Sequence, residues 1–284
     1  MHIADQAHIV PTLDDSNYID ALLEIVKKNG ISMVIPLIDT ELGQMSKAWS
    51  RFDQIGARVV VSSENVIETC TDKLLTFEKL KVSGIDTPET WPCADVLRRK
   101  HHRFPYFLKP RAGSAGQGNY KIESIEELRV LRRHVTKPIV QEFVDGTEYT
   151  LDVYTGLDGI PQCIVPRKRI EVRAGEVTKS VTVKNRRVMA VGRKVALALA
   201  DCRGVITVQC ISTRDGRIRV IEINPRFGGG VPLAIHARAD FPRWLMAEHL
   251  GRRITIDPTG FRNNVYMLRY DESVFYSPDR RRGN

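Results

Sequence analysis

The sequence predicts an α/β (α+β) fold, in which a parallel-sheet domain precedes a larger domain rich in antiparallel strands. Three observations support this prediction. Helical and strand-like segments alternate from residue 16 to residue 63, a pattern typical of a parallel sheet flanked by helices. After the proline-marked connector GIDTPETWP, the chain changes to short strands, glycine-rich loops and hairpin turns. With 284 residues, 42% of them hydrophobic, the chain can bury one large core or several smaller ones.

The elements of the N-terminal part are predicted from capping residues and apolar spacing. The first helix follows a capping serine or asparagine, carries apolar residues at helical spacing and stops at a glycine, a residue favoured at helix C-termini. The predicted elements in chain order are a helix to Gly30, a strand at 31–39, a helix at 41–54, a strand at 57–63 and a helix at 64–84 that is interrupted near TCTDK.

The second part is predicted to consist mainly of strands and hairpins. Asp-Gly pairs are strong short-range signals for a turn between two strands, and the pairs at 145–146 and 215–216 predict such turns here. The predicted elements are a strand at 106–110, a glycine-rich loop, a strand at 120–124, a helix at 125–135, two strands around 145–146 within 138–155, a helix at 187–201 and a hairpin of 204–213 with 217–224.

The last hairpin carries oxygen-bearing side chains on one face. Side chains at i and i+2 of a strand point the same way, so Glu222 and Asn224 project together. With the turn centred on Asp215-Gly216, Gln209 falls within about a residue of the position facing Glu222. One carboxylate and two amide oxygens form a donor set that suits Mg²⁺. The alternative is a solvated strand face with unrelated polar residues.

Two further segments have the chemistry of a nucleotide site. Lys109 ends a strand and precedes three glycines of the loop, where backbone N–H groups can approach a polyphosphate. The pattern matches neither of the two common glycine-rich nucleotide motifs, and a flexible loop is the alternative. Residues 141–144 combine polar edges with apolar surface, as a purine requires, and Glu148 can accept from ribose hydroxyls. An ordinary hairpin with exposed acids is the alternative for this segment.

These segments together resemble the ATP-grasp superfamily, above all the ATP-grasp domains of the carbamoyl-phosphate synthetase large subunit and related stand-alone carboxylate-amine ligases. The resemblance covers about residues 64–256 and depends on the order and spacing of five stretches. They are TDK at 71–73, FLKPRAGSAGQGN at 107–119, VQEFVDGTEYTLDV at 140–153, RKRIEVRAGEVTKS at 167–180, and TVQC with VIEINPRFGGG between 207 and 230.

The resemblance implies an ATP- and Mg²⁺-dependent ligase, with Mn²⁺ as an alternative metal. In this family a carboxylate attacks the γ-phosphate of ATP, and an amine or other nucleophile captures the resulting acyl phosphate, so catalysis depends on positioning and charge neutralisation. The expected partners are a small-molecule carboxylate and an amine. Two alternatives remain open: a non-catalytic ATP-binding subunit or regulator, and the same fold phosphorylating bicarbonate.

The resemblance also implies a role for each matching residue. Arg226, Lys109 and Lys168 are the implied catalytic residues, and Arg226 would face the transferred phosphoryl group because its planar fork suits that anion. Gly228–Gly230 would bring backbone N–H groups to the same anion. The implied metal ligands are Gln209, Glu222 and Asn224. The implied nucleotide-binding residues are Lys73, Lys109, Gly113, Ser114, Gly116, Gly118, Gln141, Glu142, Phe143, Val144, Glu148, Arg173 and Lys179.

The resemblance divides the chain into a pre-ATP-grasp domain at 1–71 and an ATP-grasp domain at 72–284, with a small lid at about 100–143. Relatives usually have a strand, a helix and a strand before the segment that matches ADQAHIVP, so the N-terminal domain is predicted to be truncated. An exposed sheet edge favours association. A homodimer, or a partner chain that completes this domain, is therefore a further prediction.

Composition limits the remaining classes of function. The formal net charge of +9 permits a nucleic-acid partner, but the sequence has no zinc finger, RNA-binding signature or long basic stripe, so an anionic small substrate is favoured. No apolar run approaches the roughly 20 residues that a membrane-spanning helix needs. The five cysteines form no C-x-x-C pair, which predicts buried free thiols and a cytoplasmic location.

Overall fold

The computed structural model describes residues 4–113, 116, 118–173, 175–273 and 275. Within them, three groups of elements follow one another along the chain, each around its own buried apolar cluster. The first contains a short parallel sheet, the second a small antiparallel sheet, and the third a long antiparallel sheet. No helix among these residues is long and apolar enough to cross a membrane.

The N-terminal group is mostly helical. Its two strands pair in parallel, and Phe52 is fully buried in its core. The strands are much shorter than predicted, since Pro36 lacks the N–H that would continue the first one. The predicted helix at 41–54 is two helices that meet at Ala48. The elements are α1 (Tyr18–Lys28), β1 (Met33–Val34), α2 (Leu42–Lys47), α3 (Trp49–Gln54), β2 (Arg58–Val59) and α4 (Glu64–Thr71).

The small sheet follows helix α5 (Lys73–Val82), whose first turn is capped by the Asp72 carboxylate. Its strands lie in the order β3, β6, β4, β5, and they pack on two short helices around the buried Leu108 and Leu128. The sheet begins at Thr90, earlier than the predicted start of the lid. The elements are β3 (Thr90–Pro92), α6 (Cys93–Leu97), β4 (Tyr106–Pro110), β5 (Tyr120–Ile122), α7 (Ile125–Leu131) and β6 (Pro138–Glu142).

The long sheet is antiparallel throughout and forms the floor of the molecule beneath the small sheet. Its strands lie in the order β11, β10, β7, β8, β9, β12. Its elements are β7 (Thr147–Gly156), β8 (Cys163–Arg173), β9 (Glu176–Thr182), α8 (Arg186–Leu199), β10 (Gly204–Ser212), β11 (Ile218–Asn224), α9 (Pro232–His236), α10 (Phe241–His249) and β12 (Tyr266–Leu268).

The structure corrects one predicted hairpin and confirms the other. Strands β6 and β7 flank Asp145-Gly146 but do not pair, because β6 joins β3 and β4 whereas β7 joins β8 and β10. Residues 143–146 therefore link two sheets. The Asp215-Gly216 turn does join a hairpin, and in it a β-bulge at Ile221 brings Gln209 directly opposite Glu222. A local rule for turns cannot tell whether the second strand finds a better partner elsewhere.

Helix α8 packs closely on the side of the long sheet that faces away from the small sheet. Gly192 lies at the contact, where an added Cβ would be 2.7 Å from Leu151 Cδ2 and 3.1 Å from Ile164 Cγ2. Glycine disfavours a helix interior by roughly 1 kcal/mol relative to alanine, so its presence here reflects the short distance between helix and sheet. Close packing against α8 fixes the strands whose other face carries polar residues.

We expect Gly192→Val to lower the free energy of unfolding by about 1–3 kcal/mol, because the larger side chain overpacks this contact. Urea unfolding measures the loss. Lys194→Val is the matched control, since Lys194 is exposed on the same helix and reports only the smaller helix penalty of a β-branched residue. Equal losses in the two variants would contradict the packing argument.

All five cysteines are buried and free, which confirms the prediction of unpaired thiols. Burial raises the pKa of Cys202 and of Cys210 to about 12 in each case, so neither is a thiolate near neutral pH. These cysteines act as small apolar residues of the core.

Candidate functional site

A cleft of about 420 Å³ lies between the small sheet and the long sheet. Its size is that of a small-molecule site. Strands from both sheets, the glycine-rich loop and the start of α5 all contribute side chains. The cleft brings together these predicted residues: Lys73, Lys109, Gly113, Gly116, Gln141, Glu142, Phe143, Val144, Glu148, Gln209, Glu222, Asn224, Arg226 and Gly228–Gly230.

The three predicted metal ligands lie on the same part of the cleft floor. Gln209 and Glu222 face each other across the hairpin, and Asn224 is two residues further along the strand on the same face. The Asn224 amide nitrogen lies 3.4 Å from Glu222 Oε1, which leaves the amide oxygen free. Since the described residues include no group of three His, Cys, Asp or Glu side chains suited to a metal, a metal here would depend on this mixed set of acid and amides.

Two lysines approach the same end of the cleft. The Lys73 ammonium donates to the Gly113 carbonyl at 2.7 Å, and Lys109 donates to Gln141 Oε1 at 2.9 Å. Burial lowers the pKa of both lysines, and the nearby Glu222 charge opposes that shift in each case. The pKa of Lys109 falls to about 8, with Lys73 adding to the effect of burial. The polar end of the cleft therefore holds one carboxylate among closely spaced cations.

We expect the affinity for MgATP to fall as the pH rises above about 8, because Lys109 then loses the charge that attracts phosphate. Calorimetric titrations from about pH 7 to about pH 9.5 measure this change. In Lys109→Arg the pH dependence should disappear, since a guanidinium stays charged. Without nucleotide, the free energy of unfolding should rise with pH between about pH 8 and pH 10. In this range Lys109 has lost its proton in the folded protein but keeps it in the unfolded chain, so raising the pH favours the folded state. A flat affinity profile in the unmodified protein would contradict the prediction.

The cleft lining also includes apolar side chains, referred to below as its apolar end. Phe107, Phe143, Val144, Ile211 and Ile221 line it, which gives surfaces for the two faces of a planar base. These residues come from both sheets, so the apolar end closes only when the small sheet lies over the long one.

Two of the predicted purine-binding side chains have other partners. The Glu142 carboxylate accepts from Arg219 at 2.7 and 2.8 Å, and these hydrogen bonds lower its pKa. The Gln141 amide accepts from Lys109 and donates to Thr90 Oγ1 at 2.8 Å, so it orients the lysine. At these positions only backbone groups remain available to a base edge.

Glu148 lies on the cleft floor, where it was predicted to meet a ribose. Its carboxylate lies 3.1 Å from Arg169 Nε, and burial raises its pKa although Arg169 opposes the shift. Both groups line the cleft. A carboxylate held in this way can accept hydrogen bonds from hydroxyl groups.

Arg226 is held by a residue that the sequence did not single out. Its guanidinium makes two hydrogen bonds to Asp39, one of them 2.6 Å between Nε and Oδ1, and donates to the Phe227 carbonyl at 2.9 Å. Asp39 follows β1, so the N-terminal group fixes a cation of the cleft. The only sequence signal was an acid at the end of a predicted strand, which is too common to indicate a site.

The placement of three predicted cations requires correction. Lys168 is exposed, because side chains alternate along β8 and its neighbours Arg167 and Arg169 take the cleft face. Arg173 is exposed near Asp271, and Lys179 pairs with Glu171 at 2.6 Å outside the cleft. Their predicted roles assumed a register that the strand does not have. The alternation of PRKRI already allowed this reading.

The last two residues of the predicted site, Gly118 and Ser114, belong to the glycine-rich loop. Gly118 has a positive φ of 71° and lies beside Pro110, but it does not line the cleft. Ser114 lies outside the described residues. Gly113 and Gly116, which do line the cleft, also have positive φ values, a conformation that favours glycine.

Comparison with known families identifies the family of this chain. Residues 70–230 match a family model described as an ATP-grasp domain, and residues 1–60 match one described as a PylC-like N-terminal domain. The chain belongs to the ATP-grasp family. The resemblance noted in the sequence is thereby confirmed.

Several curated relatives of this ATP-grasp chain are ligases or synthases. It is 25% identical to the D-alanine–D-alanine ligase of Aquifex aeolicus over 169 residues, which cover 54% of this chain and 57% of the relative. It is 24% identical to the VanA resistance protein of Enterococcus faecium, with 69% and 64% covered. For the carbamoyl phosphate synthase large chain of Thermoanaerobacter sp. the identity is 26%, with 63% and 18% covered. The chain thus spans less than two thirds of each of these relatives.

Solved structures agree with the predicted fold class. The biotin carboxylase domain of Hydrogenobacter thermophilus 2-oxoglutarate carboxylase, in complex with MgADP, ADP and bicarbonate, superposes with a TM-score of 0.75 at 17% identity. That match covers 93% of this ATP-grasp chain and 64% of the carboxylase domain. The L-amino acid ligase of Bacillus licheniformis gives 0.62 at 20% identity, with 80% and 57% covered. These likenesses, with the short N-terminal parallel sheet, confirm an α/β (α+β) ATP-grasp fold.

Proposed function

We propose that this protein is an ATP- and Mg²⁺-dependent ligase that activates a carboxylate as an acyl phosphate for capture by an amine or other nucleophile. The observation that carries the proposal is the polar end of the cleft. There Glu222, Gln209 and Asn224 share one sheet face, and the Glu222 charge partly offsets the burial that lowers the pKa of both Lys73 and Lys109. A site with one acid, two amides and two lysines suits a metal-bound triphosphate.

Each part of the cleft has a proposed task. Lys73 and Lys109 hold phosphate oxygens, and the Gly113 backbone lies beside Lys73. The apolar end, with Phe107 and Phe143, receives the base, while Glu148 accepts from the ribose. Arg226, held by Asp39 and the Phe227 carbonyl, directs its remaining N–H groups to the transferred phosphoryl group. Because these groups are held by other residues before a ligand binds, little reorganisation is needed during the reaction.

The donor set of the floor fits the metal that the family implies. Glu222 supplies the carboxylate and the two amides supply neutral oxygens, a set that suits hard cations such as Mg²⁺ and also accepts Mn²⁺. A divalent ion held there would neutralise phosphate charge as it develops. The side chains of this chain contribute the oxygen ligands, their orientation and the flanking lysines.

The test is ADP release measured with a panel of amino acids and small carboxylates, each with and without amine acceptors. A ligase releases ADP much faster when the correct acid is present, because the acid is the attacking group. Measurements in Mg²⁺ and in Mn²⁺ compare the two metals. Failure of well-folded protein to bind MgATP by calorimetry would eliminate the proposal. Binding without turnover for any acid would favour the non-catalytic subunit instead.

The assembly is tested separately. The proposed arrangement, a homodimer or a complex with a partner chain at the N-terminal group, predicts a mass by light scattering above that of the 32.2 kDa chain. A monomer at all concentrations would exclude the homodimer, and the proposed reaction would be unaffected.

A further inference from the structure

Four side chains form a row across the floor of the cleft, one on each of four neighbouring strands. Arg167 on β8 pairs with Thr150 on β7, Thr150 pairs with Gln209 on β10, and Gln209 pairs with Glu222 on β11. Directly paired side chains of neighbouring strands are about 5 Å apart on one face. The row therefore continues from the proposed metal ligands, Gln209 and Glu222, to a hydroxyl group and a guanidinium that the proposed nucleotide and metal roles do not use.

Arg167 is buried and rigidly held, yet part of its hydrogen-bonding capacity is unused. Its side chain is only 1% exposed and donates through Nε and Nη2 to Asp152 at 2.6 and 2.9 Å, and Asp152 itself is fully buried. Among the described residues, Arg167 Nη1 and the neighbouring Thr150 Oγ1 have no hydrogen-bond partner. Buried polar groups are normally paired, so two adjacent unpaired groups in a cleft wall indicate a missing ligand.

The glycines after Arg226 leave room for this guanidinium. A Cβ at Gly230 would overlap Arg167 Nη1, and one at Gly228 would lie 2.8 Å from Thr207 Oγ1. Gly230 thus lies at close range over Arg167, four residues after the arginine proposed to face the transferred phosphoryl group. Arg167, Thr150 and Arg226 all line the same cleft.

We propose that Arg167 and Thr150 form an anion subsite that binds the carboxylate of an amino-acid substrate, with Arg167 Nη1 and the Thr150 hydroxyl as donors. This inference rests on the proposed function, because it assigns the acid to the far side of the phosphoryl group. The Asp152 carboxylate fixes the guanidinium and offsets its charge, so the subsite offers directed hydrogen bonds more than net attraction. It should therefore prefer a carboxylate, which accepts two hydrogen bonds, over an amide of the same shape.

The experiment measures thermal stabilisation by ligands at constant ionic strength. The probes are the magnesium complex of a non-hydrolysable ATP analogue alone, and the same complex with each of a panel of L- and D-amino acids or their carboxamides. The variants are Arg167→Lys, which keeps a cation beside Asp152 but removes the fork, and Thr150→Val, which removes only the hydroxyl. Arg214→Lys on the exposed hairpin turn is the control for the same chemical change.

The expected result is stabilisation by at least one amino acid and none by its carboxamide. Arg167→Lys and Thr150→Val should each weaken the apparent affinity for that acid by about tenfold or more, the usual loss of a charge-assisted hydrogen bond. The shift caused by the nucleotide analogue should be unchanged in both variants and in the control. Thr150→Val keeps the test valid even if Arg167→Lys does not fold.

Other outcomes would overturn the inference, and they differ from the outcome that would count against the proposed nucleotide site. If no amino acid stabilises the protein although the nucleotide analogue does, the subsite does not bind an amino-acid carboxylate. If the variants lose the nucleotide shift instead, Arg167 binds phosphate. If the acid shift persists in both variants, the acid binds elsewhere. Absence of any shift with the nucleotide analogue would count against the proposed function itself.

Discussion

Glu222→Gln is expected to reduce acid-dependent ADP release by at least about 1000-fold while the protein remains folded. Glu222 is the one carboxylate among the three proposed metal ligands, and its replacement leaves three neutral oxygens to hold a divalent cation. Metal-based charge stabilisation contributes several kcal/mol to phosphoryl transfer, and each 1.36 kcal/mol corresponds to a factor of ten in rate. The change is nearly isosteric, so packing of the hairpin should be preserved.

The same variant should also weaken MgATP binding. Burial lowers the pKa of Lys109 and the Glu222 charge opposes that shift, so loss of Glu222 leaves the lysine less charged near neutral pH. ADP release and calorimetry with MgATP measure the two effects, and thermal unfolding establishes that the variant is folded. Glu68→Gln, an exposed acid on α4, is the control. If the variant keeps more than about one tenth of the activity, its activation free energy has risen by less than about 1.4 kcal/mol. That result would contradict the role proposed for Glu222.

Arg167→Met is expected to lower the free energy of unfolding by about 3–5 kcal/mol, because it leaves the Asp152 carboxylate buried without its partner. Asp152→Asn should also be strongly destabilising, since it leaves the buried guanidinium uncompensated. For a domain whose total stability is typically about 5–15 kcal/mol, either change is large. Urea unfolding with a constant m-value would measure it.

The double variant Arg167→Met/Asp152→Asn separates pairing from packing. With both charges removed, most of the lost stability should return, so the two single effects should be far from additive. Additive losses would contradict a coupled buried pair. The double variant also connects to the proposed carboxylate subsite, because a folded protein without the Arg167 donors should no longer be stabilised by the amino acid.

Much of the candidate site could be predicted from local sequence rules. The Asp215-Gly216 turn sets the hairpin register as far as Cys210 and Val220, and a β-bulge at Ile221 then brings Gln209 opposite Glu222, one residue from the position that the turn alone predicts. Alternation along a strand then adds Asn224 to the same face. The positions of Lys109 and Gly113 follow from a strand that ends in a tight loop. In each case the contact joins residues that are close in sequence or related by one turn, so distant parts of the chain do not alter it.

Contacts between distant segments could not be predicted in this way. The sequence places Glu142 beside a base and gives no sign of its partner Arg219, which lies 77 positions away on a strand of the other sheet. Likewise, Asp39 holds Arg226 across 187 positions. A side chain with several possible partners takes the one that the tertiary structure brings nearest, and sequence spacing carries no information on that distance.

The sequence by itself determined the ATP-grasp motifs, the paired strands that carry the proposed metal ligands, and the five free cysteines. The tertiary structure decided that β6 and β7 separate into two sheets and that Arg167, rather than Lys168, faces the cleft. The physical reason is the range of the interactions involved. Turn and strand preferences act over a few residues, whereas the inward face of β8 is set by its burial against Asp152 and Gly230, which only the folded chain brings together.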